Sequence, residues 1–500
     1  MTNKITQPSS ASATGTASSP KEAQGGSENR RAKFVTGSIF RHVVTMTATG
    51  AVGMIAVFMV DLANLFYISL LGQAELAAAI GYSATIMFFN NSLSIGMMIG
   101  GSAVIARALG EERRELAKRR AGSALIAVFL MMIVMAGLVF TFIPELLSFI
   151  GAKGETHAIA TSFLSIVIPS MPFLGISMML AGIMRANGDA KGSMYVTLAG
   201  GFASAILDPI FIFGFGLGIE GAAIASVLSR FVMIGMGIRG TLFVRQILAR
   251  PAGLDDLFSQ WRVLFPIAIP AMLTNVATPV GNAYVTMSIA DFGDHAVAGW
   301  AIIGRIQPLA WTALFALSGS VGPIFGQNLG AGLHDRVKRT LSDSMYFILG
   351  YSLVVWLILF VAQGMIVRIF GAEGDAASFV YFFCSWIAPS SIFMGFLFVS
   401  NAAFNNLGHP AYSTAFNWGR STLGTIPTVM LGTYWAGAEG ALLGQAFGSV
   451  IFGLMAILTC FHVINKQHGG PQGPAGMEQH PVESWYRRAL SPFSSGKGNM

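Results

Sequence analysis

Long apolar stretches, separated by short charged clusters, dominate this chain. Each is about 20 residues or longer, which is enough for a helix to cross a hydrocarbon core of roughly 30 Å. Barrel strands would show alternating segments of roughly ten residues instead, so the unbroken runs predict helices. The twelve stretches are 42–71, 76–106, 121–150, 158–184, 193–216, 220–240, 264–290, 296–326, 341–370, 377–404, 413–435 and 440–462.

Composition supports the same fold class. The 500 residues are 54% hydrophobic and only 11% charged, which leaves too little polar side chain to cover a water-soluble globule. The sequence has neither a phosphate-binding Gly-Lys-Ser/Thr loop nor a constellation of catalytic nucleophile and base. Cys384 and Cys460 lie in different stretches, which argues against a disulfide or a metal site. We therefore expect an all-α integral membrane protein that is not an enzyme and has no cofactor.

The distribution of basic residues predicts the orientation in the membrane. If the N-terminus lies inside the cell, 25 of the 30 Lys and Arg fall on the inner side. Lys153 and Arg368 fall outside, and three arginines lie within spans. This asymmetry predicts a multi-pass plasma membrane protein whose two termini both lie in the cytoplasm. The net charge of +7 follows from topology, so we expect no nucleic-acid partner.

The two halves of the chain repeat at a shift of 220 residues. Chance matches among apolar residues are common, but chance does not hold one register over several separate matches along the chain. The matches pair Arg107-Ala-Leu-Gly110 with Gln327-Asn-Leu-Gly330, Pro169-Ser170 with Pro389-Ser390, and Gly188 with Gly408. Six helices per copy make both copies enter the membrane in the same direction, related by an axis along the membrane normal. A cleft between such halves is where transporters place their pathway.

This repeat divides the chain into two lobes and three connecting or terminal segments. We expect an N-terminal six-helix lobe over 36–246 and a C-terminal six-helix lobe over 263–464. A cytoplasmic linker is predicted over 247–262. The ends, 1–35 and 465–500, are rich in small and polar residues and are predicted to be disordered cytoplasmic tails.

Two acidic residues, Asp61 and Asp208, lie deep within the apolar stretches. A carboxylate at such depth costs about 2.5 to 3.5 kcal/mol on insertion scales, so it usually serves ions, protons or substrates. Counted from Arg41 and Lys191, the two acids lie roughly 30 and 26 Å above the inner surface. A shared cation-coupling site is one interpretation. The other is that each acid is a structural partner of a membrane arginine such as Arg230.

Other polar positions complete the sequence picture. Pro209 follows the second acid and predicts a kink in helix five, because it lacks an amide donor. The C-terminal half has no deep acid, and Asn282 stands where Asp61 maps, so coupling should be asymmetric. Arg305 and Arg420 either line a cavity or anchor helices to carbonyl groups; the sequence leaves both roles open.

Four motifs in order give the chain a family resemblance. They are Phe58-Met-Val-Asp61, Leu207-Asp208-Pro209, Gly218-Ile-Glu-Gly-Ala-Ala223 and Gly326-Gln-Asn-Leu-Gly-Ala-Gly332. With the two six-helix repeats, they make residues 35 to 465 resemble the multidrug and toxic compound extrusion (MATE) family. The resemblance implies a V-shaped pair of pseudo-symmetric six-helix lobes in a bacterial inner membrane. It also implies export of organic cations by antiport with H⁺ or Na⁺.

The family's cation site, on helices one and five of the N-terminal lobe, maps onto Asp61 and Asp208, where Na⁺ could bind transiently. Some positions depart from the family pattern: Ser204 stands where Asn is frequent, and Ala181 replaces an Asn whose repeat mate is Asn401. Ser226 matches a hydroxyl position on helix six. The predicted polar network or substrate contacts are Ser204, Ser226, Asn64, Asn282, Asn401, Arg305 and Arg420.

Two other functions compete with this interpretation. A lipid-linked oligosaccharide flippase of the same superfamily would need a basic central cavity, which Arg230, Arg305 and Arg420 could supply. A membrane enzyme or receptor would need a catalytic cluster or a sizeable soluble domain, and the sequence shows neither. Because both halves of a pathway are present in one chain, we expect a functional monomer whose partners are small molecules and membrane lipid.

Overall fold

The computed structural model describes residues 32–69 and 74–468, and within this part every regular element is helical. The predicted tail residues 1–31 and 469–500 lie outside the described residues. The helices, numbered α1 to α12 in chain order, are Ile39–Ser69, Ala74–Gly110, Arg114–Thr141, Gly154–Ala186, Ala190–Gly214, Gly218–Val244, Leu254–Ala290, the pair Asp294–Ala310 and Thr312–Gly330, His334–Ile369, Gly374–Leu407, 410–435 and 438–468. A short helix, Ile143–Phe149, follows α3.

Twelve membrane crossings follow from this list. Ten described helices are long and apolar enough to span a membrane, and α8 adds another as two segments bent by 43° at Trp311. The continuous helical stretch 410–467 contains two crossings, because the chain reverses at Ala436 and Gly437. A Cβ atom added to Gly432 would lie 2.0 Å from the carbonyl oxygen of Gly440. The segments on either side of the reversal therefore pack antiparallel, and the predicted all-α twelve-helix fold is confirmed.

Several helices begin earlier than the apolar stretches suggested. The third, seventh and ninth helices begin at Arg114, Leu254 and His334, up to ten residues before the predicted spans. Hydropathy marks only the part of a helix that can lie in lipid, whereas charged residues such as Glu, Lys and Arg also favour helix. As a result, α7 begins inside the segment 247–262 that was predicted to be a linker.

Helices α1 to α6 form the N-lobe and α7 to α12 the C-lobe, each around its own apolar core. The first part of α1 is an exception, because Val43 and Met46 belong to the C-lobe core. Conversely, Ala268 and Met272 of α7 belong to the N-lobe core. Each lobe therefore buries the first half of the other lobe's first helix, and this exchange joins the two lobes.

We call the end of the bundle that carries the turns at Glu112, Gly188 and Gly332 the basic end, because the positively charged loops lie there. The lobes pack tightly at this end. A Cβ atom added to Gly110 would lie 2.1 Å from the carbonyl oxygen of Gln327, and one added to Gly330 would lie 2.2 Å from that of Arg107. Such backbone contact tolerates no side chain, so glycine permits the approach.

A short 3₁₀ helix before α1, Lys33–Val35, adds to the closure of the basic end. Phe34 is 1% exposed and belongs to the C-lobe core. Its amide donates to Gln327 Oε1 over 2.9 Å, while Lys33 Nζ donates to the Gly188 carbonyl of the N-lobe over 2.7 Å. These residues fall within the segment 1–35 that was predicted to be disordered. One buried aromatic ring and its hydrogen bonds hold them in place.

Candidate functional site

Asp208 lies on α5 with its side chain fully buried. Its Oδ2 atom accepts a hydrogen bond from Ser204 Oγ over 2.9 Å, a contact that the four-residue spacing on one helix face allows. Its Oδ1 atom is buried and has no donor among the described residues. Buried polar atoms normally have a hydrogen-bond partner, so an unpartnered carboxylate oxygen calls for a proton or a cation.

The backbone changes its helical geometry directly after this acid. Helix α5 runs as an α-helix through Pro209 and continues as a π-helical turn, Ile210–Gly214. Proline cannot donate to the carbonyl four residues earlier, at Ala205, which weakens the regular ladder at this point. Single π turns inside α-helices are frequent at functional sites. Pro209 therefore marks a local break in α-helical geometry beside Asp208.

Asp61 lies on α1, and its side chain is outside the described residues. The contact between α1 and α5 still shows how far along the axis of the bundle Asp61 lies. A Cβ atom added to Gly53 would lie 3.6 Å from Met194 Cγ, and one added to Gly201 would lie 3.3 Å from Val60 Cγ2. The two helices thus run in the same direction, with Asp61 opposite residue 202. Asp208 lies six residues farther along, about 9 Å at the rise of an α-helix.

Asn64 is a second polar residue of this helix pair. It follows Val60 by one turn on α1, and its Oδ1 atom is buried without a donor among the described residues. The neighbouring helices α1 and α5 therefore each carry a buried oxygen acceptor that has no donor among the described residues. This arrangement is suited to a proton or a small cation, because carboxylate and amide oxygens are what such ions bind.

Arg230 is the membrane arginine that sequence analysis offered as a structural partner for the acids. It is buried on α6, and its guanidinium donates to the Val167 carbonyl over 3.1 Å and to Ser170 Oγ. Both acceptors lie at a 3₁₀ turn within α4. Arg230 thus joins α6 to α4, while the partner that Asp208 has among the described residues is Ser204. The carbonyl of Ser226, whose hydroxyl was predicted to belong to the polar network on α6, accepts a hydrogen bond from Ser229 Oγ over 2.8 Å.

The polar positions predicted in the C-lobe lie apart from Asp208. Arg420 is 3% exposed on α11 and donates to Thr278 Oγ1 over 3.1 Å, while its Nε has no acceptor among the described residues. Asn282 Oδ1 accepts from Gln445 Nε2 over 3.1 Å. Asn401 is buried, and its carbonyl accepts from Ser413 Oγ. The structure therefore distributes the predicted network over both lobes.

A cavity of about 1010 Å³ lies between α1, α8 and α9, in the half of the molecule away from the basic end. Met59 and Leu62 of α1 line one side, and Tyr351 and Val355 of α9 line another. Among the described residues that line it, Arg305 of α8 is the charged one. Sequence reasoning left Arg305 open between cavity and anchor; it lines the cavity. The contribution of α9 was missed, because its apolar residues have the pattern of lipid-facing ones.

Comparison with known proteins agrees with this architecture. The MatE family model matches residues 50–210 and again residues 270–430, which repeats the shift of 220 residues between the halves. The FAD transporter of Shewanella oneidensis is 26% identical over 438 residues, covering 87% of this chain and 96% of that protein. The multidrug export protein MepA of Staphylococcus aureus is 23% identical over 438 residues, covering 86% of this chain and 95% of MepA.

A solved structure of the Vibrio cholerae MATE transporter VcmN superposes with a TM-score of 0.81 at 25% identity. The match covers 86% of this chain and 97% of VcmN. The similarity therefore extends over both lobes and is not confined to one repeat.

Proposed function

Because the chain belongs to the MatE family, whose members are transporters and not enzymes, we propose that it exports amphipathic organic molecules by antiport with H⁺ or Na⁺. The buried Oδ1 atom of Asp208, which has no donor among the described residues, carries this proposal. An acid in that setting is stable either protonated or with a bound cation. Exchange of that occupant between the two sides of the membrane is what antiport requires.

The coupling site consists of Asp208 with Ser204 on α5 and of Asp61 and Asn64 on α1. Pro209 and the π turn that follows it let the outer part of α5 bend when the occupant of Asp208 changes. The C-lobe has Thr428 and Asn282 near the corresponding positions, so one lobe carries the coupling ion. No cofactor beyond this ion is involved, and one chain suffices because it contains both lobes.

The basic end faces the cytoplasm of a bacterial inner membrane, in line with the positive-inside rule. Substrate leaves through the half of the molecule that contains the cavity between α1, α8 and α9. A substrate with an apolar body fits its walls, which are mostly aliphatic and aromatic. The relatives named above are described as a multidrug export protein and a FAD transporter, and both descriptions suit amphipathic cargo.

The flippase alternative is less well supported by the geometry. A diphosphate head group would need several basic residues around one cavity. Arg230 is buried between α6 and α4 of the N-lobe, and Arg420 is buried against α7 in the C-lobe. Of the three arginines, Arg305 lines the described cavity. A single guanidinium is a poor match for a diphosphate.

The test is export of the fluorescent cation rhodamine 123 and the fluorescent anion carboxyfluorescein by purified protein in liposomes. Proton and sodium gradients are imposed separately on wild type, Asp61→Asn, Asp208→Asn and, as a control, Asp294→Asn at the exposed start of α8. We expect gradient-driven transport of at least one dye by wild type and by Asp294→Asn. Asp61→Asn or Asp208→Asn should reduce the rate of gradient-driven dye transport more than about tenfold, while the protein remains folded.

The gradient that drives transport identifies the coupling ion. Unchanged transport in both Asp208→Asn and Asp61→Asn would contradict the site assignment. Failure of the two coupling variants to fold, judged by size-exclusion profile and thermal midpoint, would support a structural role for the acids instead. No transport of either dye under any gradient would contradict the proposed function.

A further inference from the structure

Arg305 lies well inside the apolar part of α8. It follows Asp294, where the helix begins, by eleven residues, which is about 16 Å along the axis. A charged side chain at membrane depth costs about 2.5 to 3.5 kcal/mol on insertion scales, so it normally pairs with another group or faces water. Among the described residues the Arg305 guanidinium has neither a hydrogen bond nor an ion pair, and its side chain is exposed.

Local helix geometry explains why Arg305 points into the cavity. Ile303 and Ile306 are 0% and 9% exposed and belong to the C-lobe core. Position 305 lies on the other side of the helix from 303, because successive residues are rotated by about 100°. Packing of the two isoleucines therefore holds the arginine away from the C-lobe core and towards the cavity between α1 and α9.

The rest of the described cavity wall is apolar or aromatic. Met59 and Leu62 come from α1, and Val355 and Ile358 from α9. Tyr351, the polar exception, already donates its hydroxyl proton to the Ala310 carbonyl over 2.9 Å. The volume of about 1010 Å³ is large enough for a tricyclic or larger ligand.

We propose that this cavity binds amphipathic organic anions, with Arg305 holding a carboxylate, sulfonate or phosphate group. A guanidinium presents a fork of donors that matches two oxygens of such a group, and the low-dielectric wall strengthens the contact. A cation with the same apolar body would be repelled by Arg305. This inference rests on the proposed export function and names its substrate class.

Two dyes with the same xanthene ring system separate charge from shape. Carboxyfluorescein is an anion and rhodamine 123 is a cation, so a cavity that selected only for a flat apolar body would treat them alike. Binding to detergent-purified full-length protein is measured by fluorescence anisotropy. Wild type is compared with Arg305→Gln and Arg305→Lys, and with Lys153→Gln, which removes an equal charge from an exposed position outside the cavity.

We expect wild type and Lys153→Gln to bind carboxyfluorescein more tightly than rhodamine 123. Arg305→Gln should weaken carboxyfluorescein binding about tenfold or more, because it removes a charge-assisted contact, and it should leave or improve rhodamine 123 binding. Arg305→Lys should restore part of the anion affinity without the paired geometry. Thermal midpoints of the variants report whether they are folded.

Tighter binding of rhodamine 123 by wild type, or carboxyfluorescein binding that Arg305→Gln does not change, would overturn the inference. If rhodamine 123 is exported and carboxyfluorescein is not, the proposed export function is supported and the proposed specificity for anions is contradicted. An anionic lipid headgroup could use the same guanidinium. If phosphatidylglycerol displaces bound carboxyfluorescein and the liposomes show no carboxyfluorescein transport, Arg305 binds lipid. That result would overturn its role in substrate binding.

Discussion

At the scale of single residues, Asp189 shows how a charge organises the turn between α4 and α5. It is the N-cap of α5, where its Oδ1 accepts from the Gly192 amide over 3.0 Å, and its Oδ2 pairs with Arg245 Nε over 2.7 Å. Burial raises the pKa of the Asp189 carboxyl, but these hydrogen bonds and the charges of Arg245 and Lys33 outweigh burial. The pKa is therefore held below its usual value.

A lowered pKa has a definite consequence for stability. The ionised Asp189 stabilises the fold fully above the pKa of an unfolded aspartate, about 4, and loses this effect as pH falls through the lowered native pKa. Asp189→Asn keeps a capping oxygen but removes the charge, which should cost about 0.2 to 1 kcal/mol at pH 7. We expect its thermal midpoint in detergent to lie below that of wild type at pH 7.

The gap between the two midpoints should shrink as pH falls below about 4, because wild type then also loses the charge. Asp189→Ala, which removes the cap as well, should lie lower than Asp189→Asn at every pH. Asp294→Asn serves as the control for an exposed acid. A gap that does not vary with pH would show that the Asp189 charge does not contribute.

At the scale of helices, glycine sets how closely the two lobes approach. Gly100 of α2 faces Ala268 of α7, and Gly110 faces the Gln327 carbonyl of α8. In both places an added Cβ atom would lie within 3 Å of the partner helix. Without a strong hydrophobic driving force between helices in lipid, van der Waals packing of such small residues contributes much of the association.

Gly110→Ala should therefore push α2 away from α8 at the basic end. We expect a destabilisation of about 1 to 3 kcal/mol, typical of overpacking, seen as a lower thermal midpoint in detergent. The matched control is Gly137→Ala on α3, where an added Cβ atom meets nothing within 4 Å. That substitution should stabilise its helix by roughly 0.5 to 1 kcal/mol. Equal effects of the two variants would contradict a packing role for Gly110.

At the scale of the whole molecule, the residues before α1 close the basic end by holding both lobes. The Phe34 carbonyl accepts from Arg336 of the C-lobe over 2.8 Å, and Lys33 reaches the Gly188 carbonyl of the N-lobe. Gln327 connects the lobes directly, because its Nε2 donates to the Ala186 carbonyl over 2.7 Å. In the transport cycle that we propose, these contacts have to break when the basic end opens.

Phe34→Ala should loosen the basic end, because truncating a buried Phe typically costs about 3 to 5 kcal/mol. The readout is maleimide labelling of Ala106→Cys, a position that is 0% exposed and close to Gly326 of α8. Cys384 and Cys460 are replaced by Ser in this background. We expect faster labelling with Phe34→Ala and no change with Phe40→Ala, whose ring is 45% exposed on α1. Equal labelling in all backgrounds would contradict the closure role.

Much of this molecule could be predicted from local patterns in the sequence. Apolar length predicts twelve crossings, the 220-residue shift predicts two lobes, and the matched loops predict where they correspond. Ser204 belonged to the predicted polar network, and it donates a hydrogen bond to Asp208, because residues four apart on a helix share a face. Helix starts were predicted too late at the basic end, since hydropathy cannot detect the charged helical turns outside the apolar layer.

The sequence by itself determined that the chain lies in a lipid membrane, how many helices cross it, that the two halves are duplicated, and which charged residues lie within the spans. Each of these follows from the spacing of residue types along one chain. Only the tertiary structure decided which groups the charged side chains contact. In the structure Arg230 binds α4 and Arg305 lines the cavity. Asp61 and Asp208 lie at different heights along the bundle axis, and Phe34 is buried against the C-lobe. Those outcomes depend on the rotation and offset of helices far apart in the chain, and these are set by packing between side chains and not by any local pattern.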